Sequence, residues 1–308
     1  MKGLKIYISF ILFLFLFGCA TVSIFEKTRP LKETVLSGEG RDKILLIDIS
    51  GIISSKKRSS PFKEKTSIVS RVREELKKAS DDKKIKGIVL RINSPGGTVT
   101  ASDIIYREIK QFKDKKKIPV VACMMDVTTS GAYYVALSAD AIIAHPTSVT
   151  GSIGVIALKF NVKGLLEKIG VEDETIKSAD KKDLWSPFRP STEEEKKIIQ
   201  GIIGSFHKKF IKVIAEERKE LNIEEIKRLA DGRIYTAKQA FDSKLIDKIG
   251  YLDDAIEIAK KMAGITKAKV ISYHRPSRYK NNIYSMFNID LGALTENVGL
   301  TFMYLWIP

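Results

Sequence analysis

From Lys43 onward the apolar residues switch between two spacings. Ile44-Leu-Leu-Ile-Asp-Ile49 is an apolar run of strand length, and Ile68, Val72, Leu76 and Ala79 then recur at helical intervals. Ile85-Lys-Gly-Ile-Val-Leu-Arg-Ile92 predicts the next strand, and Ala101, Ile105, Ile109 and Phe112 mark the next helix. Residues 118–125 predict a third strand, followed by a small-residue helix from about Ser130 to Ala139. Apolar runs at Ala141–Ala144 and Ile153–Phe160 continue the pattern. A long amphipathic helix follows (Ile199, Ile202, Ile203, Phe206, Phe210, Val213), then shorter helices and a last strand near Lys269–Tyr273. Strands alternating with helices over short connections predict parallel βαβ units and an α/β fold. The Ser/Lys-rich stretch 54–66, with Pro61, reads as a surface loop.

The N-terminus has a different pattern. Lys2 and Lys5 precede an apolar run from Ile6 to Phe17, broken only by Ser9, the layout of an export signal. The run ends in Leu16-Phe-Gly-Cys19, similar to a bacterial lipoprotein box with Cys19 as the lipidated residue, although Phe17 departs from the usual small residue. Read to Phe25, the same stretch is about long enough to stay uncleaved and span a bilayer. Both readings export the body and hold it at a membrane, by a lipid anchor or by a transmembrane helix. The sequence therefore divides into a signal peptide or anchor at 1–18, a tether at 19–42, a catalytic-sized body at 43–274 and a C-terminal tail at 275–308. The tail keeps scattered apolar residues and ends Phe302-Met-Tyr-Leu-Trp-Ile-Pro308. It is read either as packing on the body or a neighbour, or as occupying a substrate groove and restraining activity.

Composition narrows the classes of function. The 308 residues are 44% hydrophobic, which is ordinary for a globular chain and argues against a multi-span membrane protein. Two cysteines rule out a disulfide framework or a Cys-rich zinc module. Cys123, in the third strand, reads as a small buried thiol. The net charge of +16 fits nucleic acid, an anionic membrane surface or plain lysine enrichment. No zinc-finger, RNP or helix-turn-helix pattern supports nucleic acid.

Three loops sit at the ends of predicted strands, where α/β sheets place their sites. Asn93-Ser-Pro-Gly-Gly97 combines close backbone approach with free amides, suited to an anion or oxyanion. Thr128-Thr-Ser-Gly-Ala-Tyr-Tyr134 places Ser130 at a strand-to-helix junction, as a nucleophile or a plain N-cap. Thr150-Gly-Ser-Ile-Gly154 adds Ser152 in another turn. A serine nucleophile needs a base. His145 with Asp140 is one choice, and a lysine is the other; S-x-x-K spacings recur too often in this lysine-rich chain to select one.

Taken together, Asn93-Ser-Pro-Gly-Gly97, Thr129-Ser-Gly-Ala-Tyr-Tyr134, Thr150-Gly-Ser-Ile-Gly-Val155, the stretch from Ile176 to Asp183 and Ala230-Asp-Gly-Arg-Ile-Tyr235 resemble the signal peptide peptidase SppA family (protease IV), in its short single-unit bacterial form. The resemblance spans about residues 43–275 and rests on the combination of motifs. It implies a crotonase/ClpP-like α/β spiral with C-terminal helices, preceded by the membrane-targeting segment. It also implies a membrane-associated serine endopeptidase that degrades signal-peptide remnants and similar apolar unfolded peptides through an acyl-enzyme. On that resemblance Ser130 is the nucleophile, Lys182 the general base and Ser152 the residue that orients the lysine. The backbone N–H groups of Gly97 and Gly131 form the oxyanion hole. The mechanism requires no metal or cofactor. The resemblance further implies a ring-like homo-oligomer whose subunits build the groove together, with membrane lipid as the other partner.

One requirement stands out. An ordinary lysine, with pKa about 10.4, is neutral at pH 7 in only about one molecule in 2,500. A lysine base therefore needs burial, and the flanking Asp180 and Asp183 oppose it if they face it. Rival readings are an acyl-CoA-handling enzyme of the crotonase fold, which has no use for an export leader, and a catalytically silent membrane scaffold.

Overall fold

The structure is a computed structural model that describes residues 30–56, 58–60, 63–275 and 301–307. The leader, Cys19 and most of the C-terminal tail lie outside the described residues. In chain order the elements are β1 (Lys32–Ser37), β2 (Lys43–Ser50), β3 (Arg58–Ser60), β4 (Lys63–Lys65), α1 (Ile68–Asp81), β5 (Ile85–Ser94), β6 (Gly96–Thr98), α2 (Val99–Lys116), β7 (Val120–Thr129), α3 (Gly131–Ala136), β8 (Ala141–Ala144), β9 (Val149–Gly151), β10 (Ile156–Ala157), α4 (Lys163–Lys168), α5 (Glu193–Glu217), α6 (Ile223–Leu229), β11 (Ile234–Thr236), α7 (Ala237–Asp242), β12 (Lys248–Ile249), α8 (Leu252–Met262), β13 (Lys269–His274) and β14 (Phe302–Leu305).

The main sheet runs β1-β13-β2-β5-β7-β8-β12, parallel except for β1 at its edge. Its central strands are buried on both faces, which explains their near-continuous apolar sequences. Leu45, Ile47, Leu90 and Ala122 face a core shared with α1, α2 and α3. The alternate residues Ile44, Leu46, Val89, Val121 and Cys123 pack against Leu252, Ala255, Ile256 and Ala259 of α8. Of the charged residues in these strands, two lie opposite each other. Asp48 pairs in register with Arg91, whose guanidinium is buried and donates to both carboxylate oxygens (2.5 and 2.7 Å). A one-residue slip would part the buried Arg91 from the half-buried Asp48, so the pair fixes the register of β2 on β5.

The stretch 19–42, read as a tether, is described from residue 30 onward and contains a strand. Residues 32–37 form β1, paired antiparallel with β13. Part of the C-terminal tail also has a defined place. β14 lies antiparallel between β10 and β6 in a second, small sheet. The third predicted helix is the short α3, and the strand expected at 153–160 is reduced to the two residues of β10.

Candidate active site

Ser130 occupies the step from β7 into α3. Its backbone lies at φ 54°, ψ −118°, a region that residues with a Cβ seldom enter. Bonds on both sides hold it there: the Ser130 amide donates to the Gly151 carbonyl (2.7 Å), and the Tyr134 amide donates to the Ser130 carbonyl (2.9 Å). The residue is buried, and its Oγ has no hydrogen-bond partner among the described residues. A serine acting as a plain N-cap would accept a nearby helix amide, and Ser130 makes no such bond. An unpaired buried hydroxyl and a strained backbone each cost about 1–3 kcal/mol. Such costs persist where the surroundings impose them, typically at a working site.

The two glycines of β6 face this turn. A Cβ placed on Gly96 would lie 2.8 Å from the Gly131 amide nitrogen, and one on Gly131 would lie 3.2 Å from that of Gly97. The backbone at 97 and 131 thus converges beside Ser130, and side chains there would close the gap. Gly97 also has a packing reason to be glycine: a Cβ would collide with the backbone of Ile53. The Ile53 amide donates to the Gly96 carbonyl (2.8 Å), and its carbonyl accepts from Thr98 (2.9 Å).

β14 lies on the same glycines. Tyr304 is in register opposite Gly97, the Trp306 amide donates to the Pro95 carbonyl (2.9 Å), and the Tyr304 carbonyl oxygen is 3.0 Å from the position of a Gly131 Cβ. The Tyr304 ring is buried against Phe210 and Tyr134, with centroids 4.7 and 5.4 Å away. Its hydroxyl donates to the Phe206 carbonyl (2.7 Å), and that of Tyr134 donates to Asp103 (2.7 Å). Burial raises the pKa of both phenols, so both remain donors.

Ser152 follows β9, which runs parallel to the end of β7 with Gly151 opposite Thr129. It is buried at φ 49°, and its amide donates to the Arg233 carbonyl (2.7 Å). β11, from the Ala230–Tyr235 motif, pairs with β9. The structure therefore gathers Gly97, Ser130, Gly131 and Ser152 in one place.

Lys182 is exposed, whereas Ser130 is buried. It sits in a turn, where its amide donates to the Ala179 carbonyl (3.0 Å), and it makes no hydrogen bond to the Ser130 hydroxyl. Lys181 beside it pairs with Glu194 (2.8 Å). The flanking Asp183 is taken up by other cations: Arg189 donates to it twice (2.6 and 2.8 Å) and Lys177 once (2.9 Å). These bonds hold its carboxyl well below the usual carboxylate range. The histidine alternative is not assembled. His145 shares a hydrogen bond with Thr147 and stacks edge-on against Tyr251, while Asp140 accepts from the Val120 amide and pairs with Lys113. Burial pushes the Cys123 thiol up to about 12, consistent with a core residue. Among the described residues no three His, Cys, Asp or Glu side chains are grouped to hold a metal ion. Two features were not read from the sequence: the aromatic pocket of Tyr134 and Phe210, and the Arg189 cluster. The spacing of Asp183, Arg189 and Glu195 at intervals of six was the only local trace of the cluster.

A mostly parallel sheet that delivers a strained, buried serine beside facing glycines defines a serine-type peptidase of the ClpP-like α/β class. Comparison with known proteins agrees. Residues 112–266 match the model of Peptidase family S49, and residues 59–149 match that of Clp protease. The chain belongs to peptidase family S49, the signal peptide peptidase SppA family. It is 39% identical over 242 residues to an Enterococcus faecium protein provisionally named signal peptide peptidase SppA, covering 79% of this chain and 70% of that one. It is 36% identical over 250 residues to "Serine protease SPPA, chloroplastic" of Arabidopsis thaliana, covering 80% of this chain but 36% of the relative. Among solved structures, a point mutant of the "1510-N membrane-bound stomatin-specific protease" shares the fold with TM-score 0.50 and 16% identity, over 77% of this chain and all of that one.

Proposed function

We propose that this chain is a membrane-held Ser–Lys endopeptidase that degrades apolar, unfolded peptides, signal-peptide remnants among them. The observation that carries the reading is Ser130: a buried hydroxyl without a described partner, in a strained turn, beside the Gly97 and Gly131 amides. In the proposed reaction Ser130 Oγ attacks a peptide carbonyl while the neutral Lys182 amine takes its proton. The Gly97 and Gly131 N–H groups stabilise the oxyanion. Lys182 then gives the proton to the leaving amine, and water, with the lysine as base, hydrolyses the ester. Ser152, one residue past Gly151, is the orienting group for the lysine.

β14 illustrates how a substrate would lie. An extended peptide adds to the β6 edge, and every second side chain enters the body of the domain. The pocket filled by Tyr304 supports cleavage next to large apolar or aromatic residues. The exposure of Lys182 supports completion of the dyad across an interface between copies. Leu158, Phe160, Leu165, Ile169, Val171 and Ile176, all on the same stretch of chain, are exposed apolar residues that a ring-like assembly would cover. The export signal with Cys19 supports anchoring at a bacterial membrane by lipid or by an uncleaved helix. Among the described residues no helix is long and apolar enough to cross a membrane.

The deciding experiment assays the assembled protein on an apolar fluorogenic peptide, comparing wild type with Ser130→Ala and Lys182→Ala. Both variants should lose at least about a thousandfold in turnover. Wild-type turnover in either one would refute the dyad.

A further inference from the structure

Between residues 154 and 194 no side chain is buried, so burial of apolar surface does not fix the segment that carries Lys182. Charge-assisted hydrogen bonds do so instead, and most of them meet at Arg189. Its Nε and Nη2 donate to the two carboxylate oxygens of Asp183, the residue after Lys182 (2.6 and 2.8 Å). Its Nη1 and Nη2 also reach the two carboxylate oxygens of Glu195 (3.0 and 2.5 Å). Glu195 is itself anchored. It is buried at the third position of α5, its carboxylate accepts from the Thr192 amide (2.9 Å), and its own amide donates to Thr192 Oγ1 (3.2 Å). Arg189 thus joins the Lys182 turn to a 25-residue helix that is anchored in the core by Phe210, which packs on Tyr133 and Tyr134. A planar guanidinium that binds two carboxylates side-on sets direction as well as distance, which a lysine cannot do.

We propose that Arg189 is a positioning residue for the general base: it fixes the Lys182 turn to α5 and ties up the Asp183 carboxylate that would otherwise hold the lysine's proton. The inference rests on the Ser130–Lys182 reading above. The charged groups around Asp183 and Arg189 are Lys177 on the same segment, Glu195 of α5 and Lys159, while Lys181, next to Lys182, faces Asp180, Glu194 and Glu195. Lys159 donates to the Arg189 carbonyl (3.1 Å) and to Ser191 Oγ (2.6 Å), so it braces the far side of the clamp. Asp183 stays ionised throughout the range in which a lysine base operates, because its carboxyl is held far down. Its negative charge is therefore constant, and the share of that charge neutralised by Arg189 decides its effect on the base. Without Arg189, Asp183 keeps only the partly exposed Lys177, and the adjacent lysine becomes the competing cation.

The test measures kcat/KM on the apolar peptide from pH 5 to 10 for the full-length assembled protein and for R189Q, R189K, D183N, R189Q/D183N and K182A. R189Q should lower kcat/KM about tenfold at pH 7 and move the ascending limb of the profile up by about one pH unit. R189K should fall between R189Q and wild type. Adding D183N to R189Q should return the limb to its wild-type position, and D183N alone should move it to lower pH. A limb unmoved in R189Q, or a shift that D183N fails to reverse, overturns the clamp while leaving the dyad standing. Wild-type turnover in K182A overturns the dyad itself, and the clamp with it. If R189Q does not assemble, D183N decides alone: a limb at or above the wild-type pH refutes the proposal.

Discussion

Ser130 and Glu75 are both buried polar side chains held at a cost, for different reasons. The Ser130 Oγ has no described partner and the backbone has positive φ, so Ser130→Gly removes an unpaired hydroxyl and a strained Cβ together. That variant should gain about 1–2 kcal/mol of stability, or roughly 2–5 °C in Tm, while peptidase activity disappears. A Tm below wild type would contradict the strain argument. Glu75 is 2% exposed on α1, beside Arg71 at 3.0 Å. Burial pushes its carboxyl up to about 7, against the pull of Arg71. A carboxyl raised above its unfolded value binds more protons in the folded state, so stability must fall as pH rises from about 4.5 to 7. Wild type should therefore lose about 2–3 kcal/mol more than Glu75→Gln between pH 5 and pH 8 in urea unfolding. Equal losses in the two proteins would show that Glu75 ionises as an exposed residue does.

Strands and helices differ in how far the sequence revealed them. β2, β5 and β7 were evident because strands buried on both faces carry continuous apolar runs. The motif loops were evident because turns demand particular residues. β1 and β14 were not, since each is stabilised by a partner far away in the chain: β13 for β1, and β6 with β10 for β14. Their own sequences, KETVLS and FMYL, carry too little pattern to specify a pairing. β14 also makes a functional prediction. It covers the glycines that would form the oxyanion hole and fills the Tyr134–Phe210 pocket, so deleting residues 299–308 should raise peptidase turnover several-fold. Unchanged turnover with the assembly intact would count against a restraining role. Tyr304→Ala should give part of the same increase, because it removes the buried ring and leaves the strand backbone.

For the assembled protein, the exposure of Lys182 and the unpartnered Ser130 hydroxyl make a further prediction. If the dyad crosses an interface, mixing inactive Ser130→Ala and Lys182→Ala subunits during assembly restores activity, because about a quarter of the sites receive both native residues. If the dyad forms within one chain, no mixture recovers turnover. What the sequence determined by itself follows from local chemistry: the alternation of strand and helix, the motif loops and the serine at a strand-to-helix step. Each is written in consecutive residues as hydrophobic period, turn chemistry or motif. Only the tertiary structure decided that Ser130 is strained and buried, that Gly97 must be glycine against the Ile53 backbone, that the tail returns to cover them, and that Arg189 takes up Asp183. These are contacts between segments tens to hundreds of residues apart, or choices among several competing charges. Their energy exists only once the chain is packed.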